Sequence, residues 1–310
     1  MRAAFAKTLL GLAEKNPDIF LLTGDLGFSV FEEFKARFPL RYLNCGVAEQ
    51  NMLGMAAGMA LEGKTVFVYS IIPFLLYRGL EQIRNDMCYQ RLPVKLAGVG
   101  SGLAYGTAGG SHHAVEDIGV MTSLPDMAVF APGDPLEAAR LTEFSLSLET
   151  PCYIRLNKAG DAVVHTTETI AALEPGKPAK VFGGASRNVI FAVGNMVPEA
   201  VETAKLLKSR GREFSVYSVH TLKPLDEESI AGILRSSAVV ATIEEHAARN
   251  GLFSAIAGVA AKNCIRAAIY ASALPDSYSH EVGSRQYLRR LYRLDRDSLA
   301  EKLYAVKEGG

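Results

Sequence analysis

Tryptophan is absent from the 310 residues, and cysteine is scarce: Cys45, Cys88, Cys152 and Cys264 lie far apart with no CxxC pair. This spacing argues against a disulfide framework or a Cys-rich zinc site and fits a reducing cytoplasm. An excess of charge is missing too, since 33 basic side chains balance 33 acidic ones. Nucleic acid, anionic membranes and charged polymers are therefore poor partners, while near-zero net charge favours self-association. No apolar run is long enough to span a bilayer, because the greasiest stretch, Thr65 to Tyr77, is interrupted by Ser70 and Pro73. The opening segment reads as an amphipathic helix with Phe5, Leu9, Leu12 and Ala13 on one face rather than as a signal peptide, because Lys7 interrupts its apolar run.

Common enzyme signatures are also lacking. There is no GxGxxG, GxSxG or HExxH segment, which weakens dehydrogenase, α/β-hydrolase and metalloprotease readings. The segment Gly58 to Thr65 spells GxxxxGK[ST], yet a helical pattern precedes it and the strand-like Val66-Phe67-Val68-Tyr69 follows. Phosphate cradling needs the reverse order, with a helix N-terminus facing the anion. His112, His113, Glu116 and Asp117 offer nitrogen and carboxylate ligands in principle, but only His113 shares a helical face with the residues at i+3 and i+4. No metal site is expected in this chain.

What is present is an alternation of short apolar runs and helical patterns, which predicts an α/β fold with mostly parallel strands. Strands are expected over 19–22, 66–69, 94–97, 128–130 and 153–156, with helices near 48–61, 78–88, 114–123 and 134–147. From about residue 160 to 187 the pattern dissolves around Glu174-Pro175-Gly176-Lys177-Pro178, and alternation restarts at Val189 with strands over 189–193, 214–217 and 239–243. The expected organisation is a first domain over 1–165, a linker over 166–187 and a smaller α/β domain over 188–310.

Glu49 stands out as the one charged residue between Arg41 and Glu62. The surrounding helix is apolar all round and rich in glycine and alanine, so it should be buried, and a buried carboxylate requires a partner with which it can share a proton. A Glu settled on a helix N-terminus by the dipole would satisfy the same pattern.

The segment Gly46-Val47-Ala48-Glu49-Gln50-Asn51-Met52 is followed by Gly110-Ser111-His112-His113 with Asp117, and then by Ala131-Pro132-Gly133-Asp134-Pro135. In this order they resemble the pyrimidine-binding domain of transketolase-type thiamine diphosphate enzymes. Thr221-Leu222-Lys223-Pro224-Leu225-Asp226 and Ile243-Glu244-Glu245-His246 resemble the transketolase C-terminal domain, so the resemblance covers essentially the whole chain.

The resemblance implies that Glu49 hydrogen-bonds N1′ of the cofactor's aminopyrimidine, favouring the 4′-imino tautomer that activates the thiazolium. Ile71, Phe74 and Tyr77 fall where the family encloses the pyrimidine, with Phe74 as the stacking ring; an Ile/Phe/Tyr stripe at this spacing is also what a plain core presents. The resemblance places His112 near the thiazolium and the substrate carbonyl, and Asp25 near the cofactor. It puts Arg2, Ser29 and Lys158 on a sugar phosphate, although Arg2 could equally be a solvated terminus.

Two departures bear on the sugar. Ala108 stands where the family carries an aspartate that contacts the donor, and Gly100 stands where a phosphate-binding histidine is usual. Gly24-Asp25-Leu26 also lacks the third glycine of the Gly-Asp-Gly segment that binds Mg²⁺ and diphosphate in full-length transketolases. The expectation is therefore the C-terminal subunit of a split transketolase, a homodimer within a heterotetramer, moving a two-carbon ketol unit between sugars. An N-terminal partner would hold most of the Mg²⁺ or Ca²⁺ and diphosphate, and the helix after Glu49 would help form a subunit interface. The alternatives are a 2-oxoacid dehydrogenase β subunit, a deoxyxylulose-phosphate synthase-like enzyme, or a non-catalytic scaffold.

Overall fold

A computed structural model describes residues 1–306; the last four residues of the expected second domain lie outside the described residues. The first half is built on six parallel strands: β1 (Ile19–Thr23), β2 (Tyr42–Asn44), β3 (Thr65–Ile71), β4 (Lys95–Val99), β5 (Ala128–Phe130) and β6 (Cys152–Leu156). In β3 every residue after Thr65 is buried, because helices cover both sheet faces. Its side chains alternate between two cores. Phe67 and Tyr69 join Phe5, Leu9 and Ala13 of the helix Arg2–Lys15, while Val66 and Val68 join Met52, Leu53 and Ala56 of the helix Glu49–Leu61.

The second half contributes β7 (Ala179–Phe182), β8 (Asn188–Ala192), β9 (Ser215–Ser218), β10 (Thr221–Lys223), β11 (Val239–Ala247) and β12 (Ile269–Leu274). Its own sheet runs β12-β11-β8-β9-β7, parallel except at β7. β10 crosses to the other sheet and pairs antiparallel with β5, completing the order β10-β5-β6-β4-β3-β1-β2. The α/β architecture with two mainly parallel sheets follows the expectation.

Several details depart from it. The stretch 166–187 holds the helix Thr167–Ala171, capped by Thr166, and then β7, the antiparallel edge of the second sheet. An edge strand with half-exposed side chains has no apolar run to announce it. The helix expected from 114 begins only at Asp117, because Gly102 and Ala114 exchange backbone hydrogen bonds and hold the preceding segment extended. The helix Glu49–Leu61 is not buried all round either. Met52, Leu53, Ala56, Ala57 and Ala60 face inward, while Gln50, Asn51, Met55, Gly58 and Leu61 are exposed.

The chain leaves β1 for β2 on one side and returns across it to β3 on the other. Such a reversal of strand order opens a crevice at the carboxyl ends of the strands, and the segments after β1, β2 and β3 carry Asp25, Glu49 and Phe74 respectively.

Candidate active site

Glu49 is the first residue of its helix and 3% exposed. Its carboxylate accepts a hydrogen bond from Arg78 Nη1 at 3.1 Å, a partner that sequence reasoning missed. Together with Val47, Ala48, Gln50 and Asn51, these two side chains line an open cleft. Phe74, on the short helix Ile72–Leu76, lies below the guanidinium, whose carbon is 4.2 Å from the ring centroid. The Phe74 ring also makes a T-shaped contact with the His112 imidazole, with centroids 4.9 Å apart and planes at 73°. His112 is held by Ser111 Oγ, 3.0 Å from its Nδ1. The structure therefore brings together Glu49, Phe74 and His112, with Arg78 bridging the first two.

Ile71 and Tyr77 sit differently. Ile71 ends β3 and is buried in the core that contains Phe5 and Tyr69. Tyr77 donates its hydroxyl to Glu116 Oε2 at 3.0 Å, and burial followed by the nearby Asp117 and Glu116 carboxylates keeps that hydroxyl protonated well above the usual range. Asp25 is exposed on a residue with φ of 55°, where it exchanges two hydrogen bonds of 3.0 Å with Asn44. The same Asn44 oxygen accepts from the Gly46 backbone N–H at 3.0 Å, so it ties the β1 loop to the approach to Glu49. An Asn at a strand end, two residues before a glycine, was the available signal for that role.

Arg2 and Ser29 line one pocket between the N-terminal helix and the β1 loop, with Lys7 and Glu33. Arg2 acts electrostatically on the Tyr69 and Tyr105 hydroxyls, which burial raises. Lys158 Nζ lies 4.5 Å over the Tyr105 ring, so Tyr105 connects the expected phosphate-binding cations. Glu116 is committed to Tyr77, and Asp117 is wholly buried under Tyr153 and Arg155, so these two carboxylates do not converge with His113 on a metal.

Behind this rim lies a buried polar layer between the halves. Asp117 accepts from the Tyr153 hydroxyl at 2.6 Å and from Arg155 Nε at 2.7 Å, and Arg155 reaches the backbone oxygens of Ala114 and Glu245. Glu245 receives Leu103 N–H, Asn195, Arg285 and Arg289; burial raises its pKa, but the two guanidiniums outweigh this and pull it down to about 2. Gly102, at φ +59°, lets the loop lie against Glu245: an added Cβ would come within 2.3 Å of its carboxylate. Glu244 instead caps the helix Leu252–Lys262 through two backbone N–H groups, and burial lifts its pKa to about 8. Of the two residues that mark the domain in the sequence, Glu245 thus serves the joint between domains, whereas Glu244 caps a helix within its own domain. Arg285 also donates to Asn157 at 3.0 Å, next to Lys158, and so carries this layer out to the rim.

Residues 1–160 match the model of the transketolase pyrimidine binding domain, and residues 179–299 match that of the transketolase C-terminal domain. The chain belongs to the transketolase family. A Methanocaldococcus jannaschii protein provisionally described as a transketolase C-terminal section is 34% identical over 304 residues, 98% of this chain and 95% of that protein. One of the subunits of the apulose-4-phosphate transketolase of Phocaeicola vulgatus is 30% identical, with coverage of 97% and 95%. A 1-deoxy-D-xylulose-5-phosphate synthase of Dictyoglomus thermophilum is 31% identical over 98% of this chain but only 49% of its own length. A solved structure of a split-gene transketolase, described as an inactive β4 tetramer, superposes with a TM-score of 0.88 at 33% identity, covering 98% of this chain and 96% of that one. This transketolase-family chain is thus of a transferase type that depends on thiamine diphosphate. Among the described residues no helix is long and apolar enough to cross a membrane.

Proposed function

We propose that this chain is the subunit of a split transketolase that binds the cofactor's pyrimidine, and that it moves a two-carbon ketol unit between sugars together with a partner holding the diphosphate. The observation that carries this reading is the buried Glu49 carboxylate opening onto a cleft beside Phe74 and His112. These side chains fit an aminopyrimidine, which needs a carboxylate for N1′ and an aromatic face to stack on. Relatives of nearly equal length, one described as a C-terminal section and another as a single subunit of its transketolase, support the division into two chains.

Thiamine diphosphate, when bound, supplies the electron sink that allows a bond beside a ketose carbonyl to break. Glu49 holds a proton at N1′, Phe74 packs on the ring, and Ile71, Tyr77 and Asp25 shape the surrounding wall. His112 orients the substrate oxygen and moves a proton to it. Arg2, Ser29 and Lys158 hold a sugar phosphate around Tyr105, while Mg²⁺ or Ca²⁺ is bound mainly by the N-terminal partner. The working assembly is a cytoplasmic heterotetramer built around a homodimer of this chain, and the exposed Gln50, Asn51, Met55 and Leu61 face of the Glu49 helix contributes to the interface.

Co-expression with a chain carrying the Gly-Asp-Gly…Asn segment tests the reading. Ketol transfer from ketose phosphates, apulose 4-phosphate among them, is expected in the mixture and absent from either chain alone. Ala108 favours a second reading, since it replaces the family's donor-contacting aspartate, while Gly100 replaces a phosphate-binding histidine. Condensation of pyruvate with glyceraldehyde 3-phosphate, without ketol transfer, would establish the synthase instead.

A further inference from the structure

We propose that Arg78 is a surrogate ligand of the pyrimidine pocket: its guanidinium fills the contacts an aminopyrimidine would make and is displaced when the cofactor enters. The inference rests on the thiamine diphosphate reading above. A guanidinium is planar, presents N–H donors in a fixed fork and stacks on aromatic faces. Here one such nitrogen donates to Glu49 at 3.1 Å while the same group lies 4.2 Å over the Phe74 ring. An aminopyrimidine is likewise flat and carries polar nitrogens on its edge. One carboxylate edge and one ring face cannot serve both groups at once, so binding of the second requires departure of the first.

The local structure allows that departure. Arg78 is 48% exposed and makes no other hydrogen bond or ion pair among the described residues. It lines the same open cleft as Val47, Ala48 and Asn51, so the guanidinium can swing into solvent along the route by which a ligand enters. Glu49, by contrast, is fixed on the first turn of a helix whose next turns are locked into the core. The mobile member of the pair is therefore the arginine, and the buried carboxylate keeps a counter-charge until the ligand arrives. A half-exposed ion pair and an exposed cation–π contact are each weak. When only the open fraction of a site can bind, apparent affinity falls by that fraction, here about threefold to tenfold.

The test is calorimetry on the full chain, alone and with its partner, using thiamine diphosphate with Mg²⁺ and, separately, the neutral fragment 4-amino-5-hydroxymethyl-2-methylpyrimidine. Arg78→Met should bind the fragment about threefold to tenfold more tightly than the wild type. Arg78→Lys, which keeps the charge but loses the plane, should fall between them. Added sodium chloride should tighten fragment binding to the wild type and leave Arg78→Met unchanged, because salt screens the ion pair and the fragment carries no charge. Equal or weaker binding by Arg78→Met would overturn the proposal and make Arg78 a supporting residue. Binding by neither form would overturn it together with the pyrimidine reading. Tighter binding by the variant in a complex that transfers no ketol would sustain the proposal and remove only the proposed reaction.

Discussion

In the pair Asp117–Arg155, between the two halves, neither side chain exceeds 1% exposure, whereas in Glu49–Arg78, at the strand ends, the carboxylate is 3% and the guanidinium 48% exposed. The enclosed pair has further partners in Tyr153 and two backbone oxygens; among the described residues the open pair has only the face of Phe74. Removing one member of an enclosed pair strands a charge in a medium that cannot solvate it, while water replaces a partner lost from an open pair. The same two functional groups therefore build a joint in one place and an exchangeable site in the other.

The largest effect that would sharpen this contrast concerns the open pair. Glu49→Gln should lower turnover of the assembled enzyme by about 10²–10⁴, the usual span for loss of a positioned proton-transfer group. Thermal unfolding should stay close to that of the wild type, and a large drop in melting temperature would erase the distinction. Asp117→Asn should do the opposite at the joint, costing about 3–5 kcal/mol in urea unfolding because Arg155 keeps its charge without a counter-ion. A loss below about 1 kcal/mol would mean that the enclosed pair behaves like a surface one.

Two adjacent residues of β11, Glu245 at the joint and Glu244 at a helix cap behind it, should respond to pH in opposite directions. Glu245 is held near 2, so its stabilisation is complete above the ordinary carboxylate value of about 4.3 and is lost as pH falls through that window, on the order of 3 kcal/mol. Glu244 is raised to about 8, so stability present below the ordinary value declines as pH rises towards and through 8. Urea titrations across pH check both: Glu244→Gln should flatten the alkaline decline, and Glu245→Gln should remove the acid one while lowering stability at neutral pH. The smallest expected effect is at the rim, where Phe74→Ala should weaken cofactor binding by roughly 1 kcal/mol in calorimetry. An unchanged dissociation constant would assign Phe74 to the core.

What could be read from sequence follows the same divide between local and distant causes. β3 and β8 were legible because strands covered on both faces must be apolar throughout, as Val66 to Tyr69 and Val189 to Ala192 are. The isolation of Glu49 in an uncharged stretch pointed to its burial. Its pairing with Arg78 was not legible, since it joins residues 29 apart through side chains from different elements. β7 is not legible because an edge strand needs no apolar face, and the Glu245 cluster because its five partners come from four distant segments, with only Arg285 and Arg289 sharing a helix. Asp25, Ser29, Arg2 and Lys158 took their candidate roles from family likeness, as no local pattern marks them.

The strand β10 lends this architecture a temporal order. Thr221 and Lys223 pair with Phe130 and Val129, and the Ala131 N–H donates to the backbone oxygen of His220. During synthesis, the outer edge of β5 stays bare until about ninety further residues have emerged. An uncovered strand edge is a template for pairing with another chain. A fragment cut anywhere between β6 and β10 would expose that edge permanently. The two halves are thus stitched through shared backbone, and the first half cannot be excised as a module with its sheet intact.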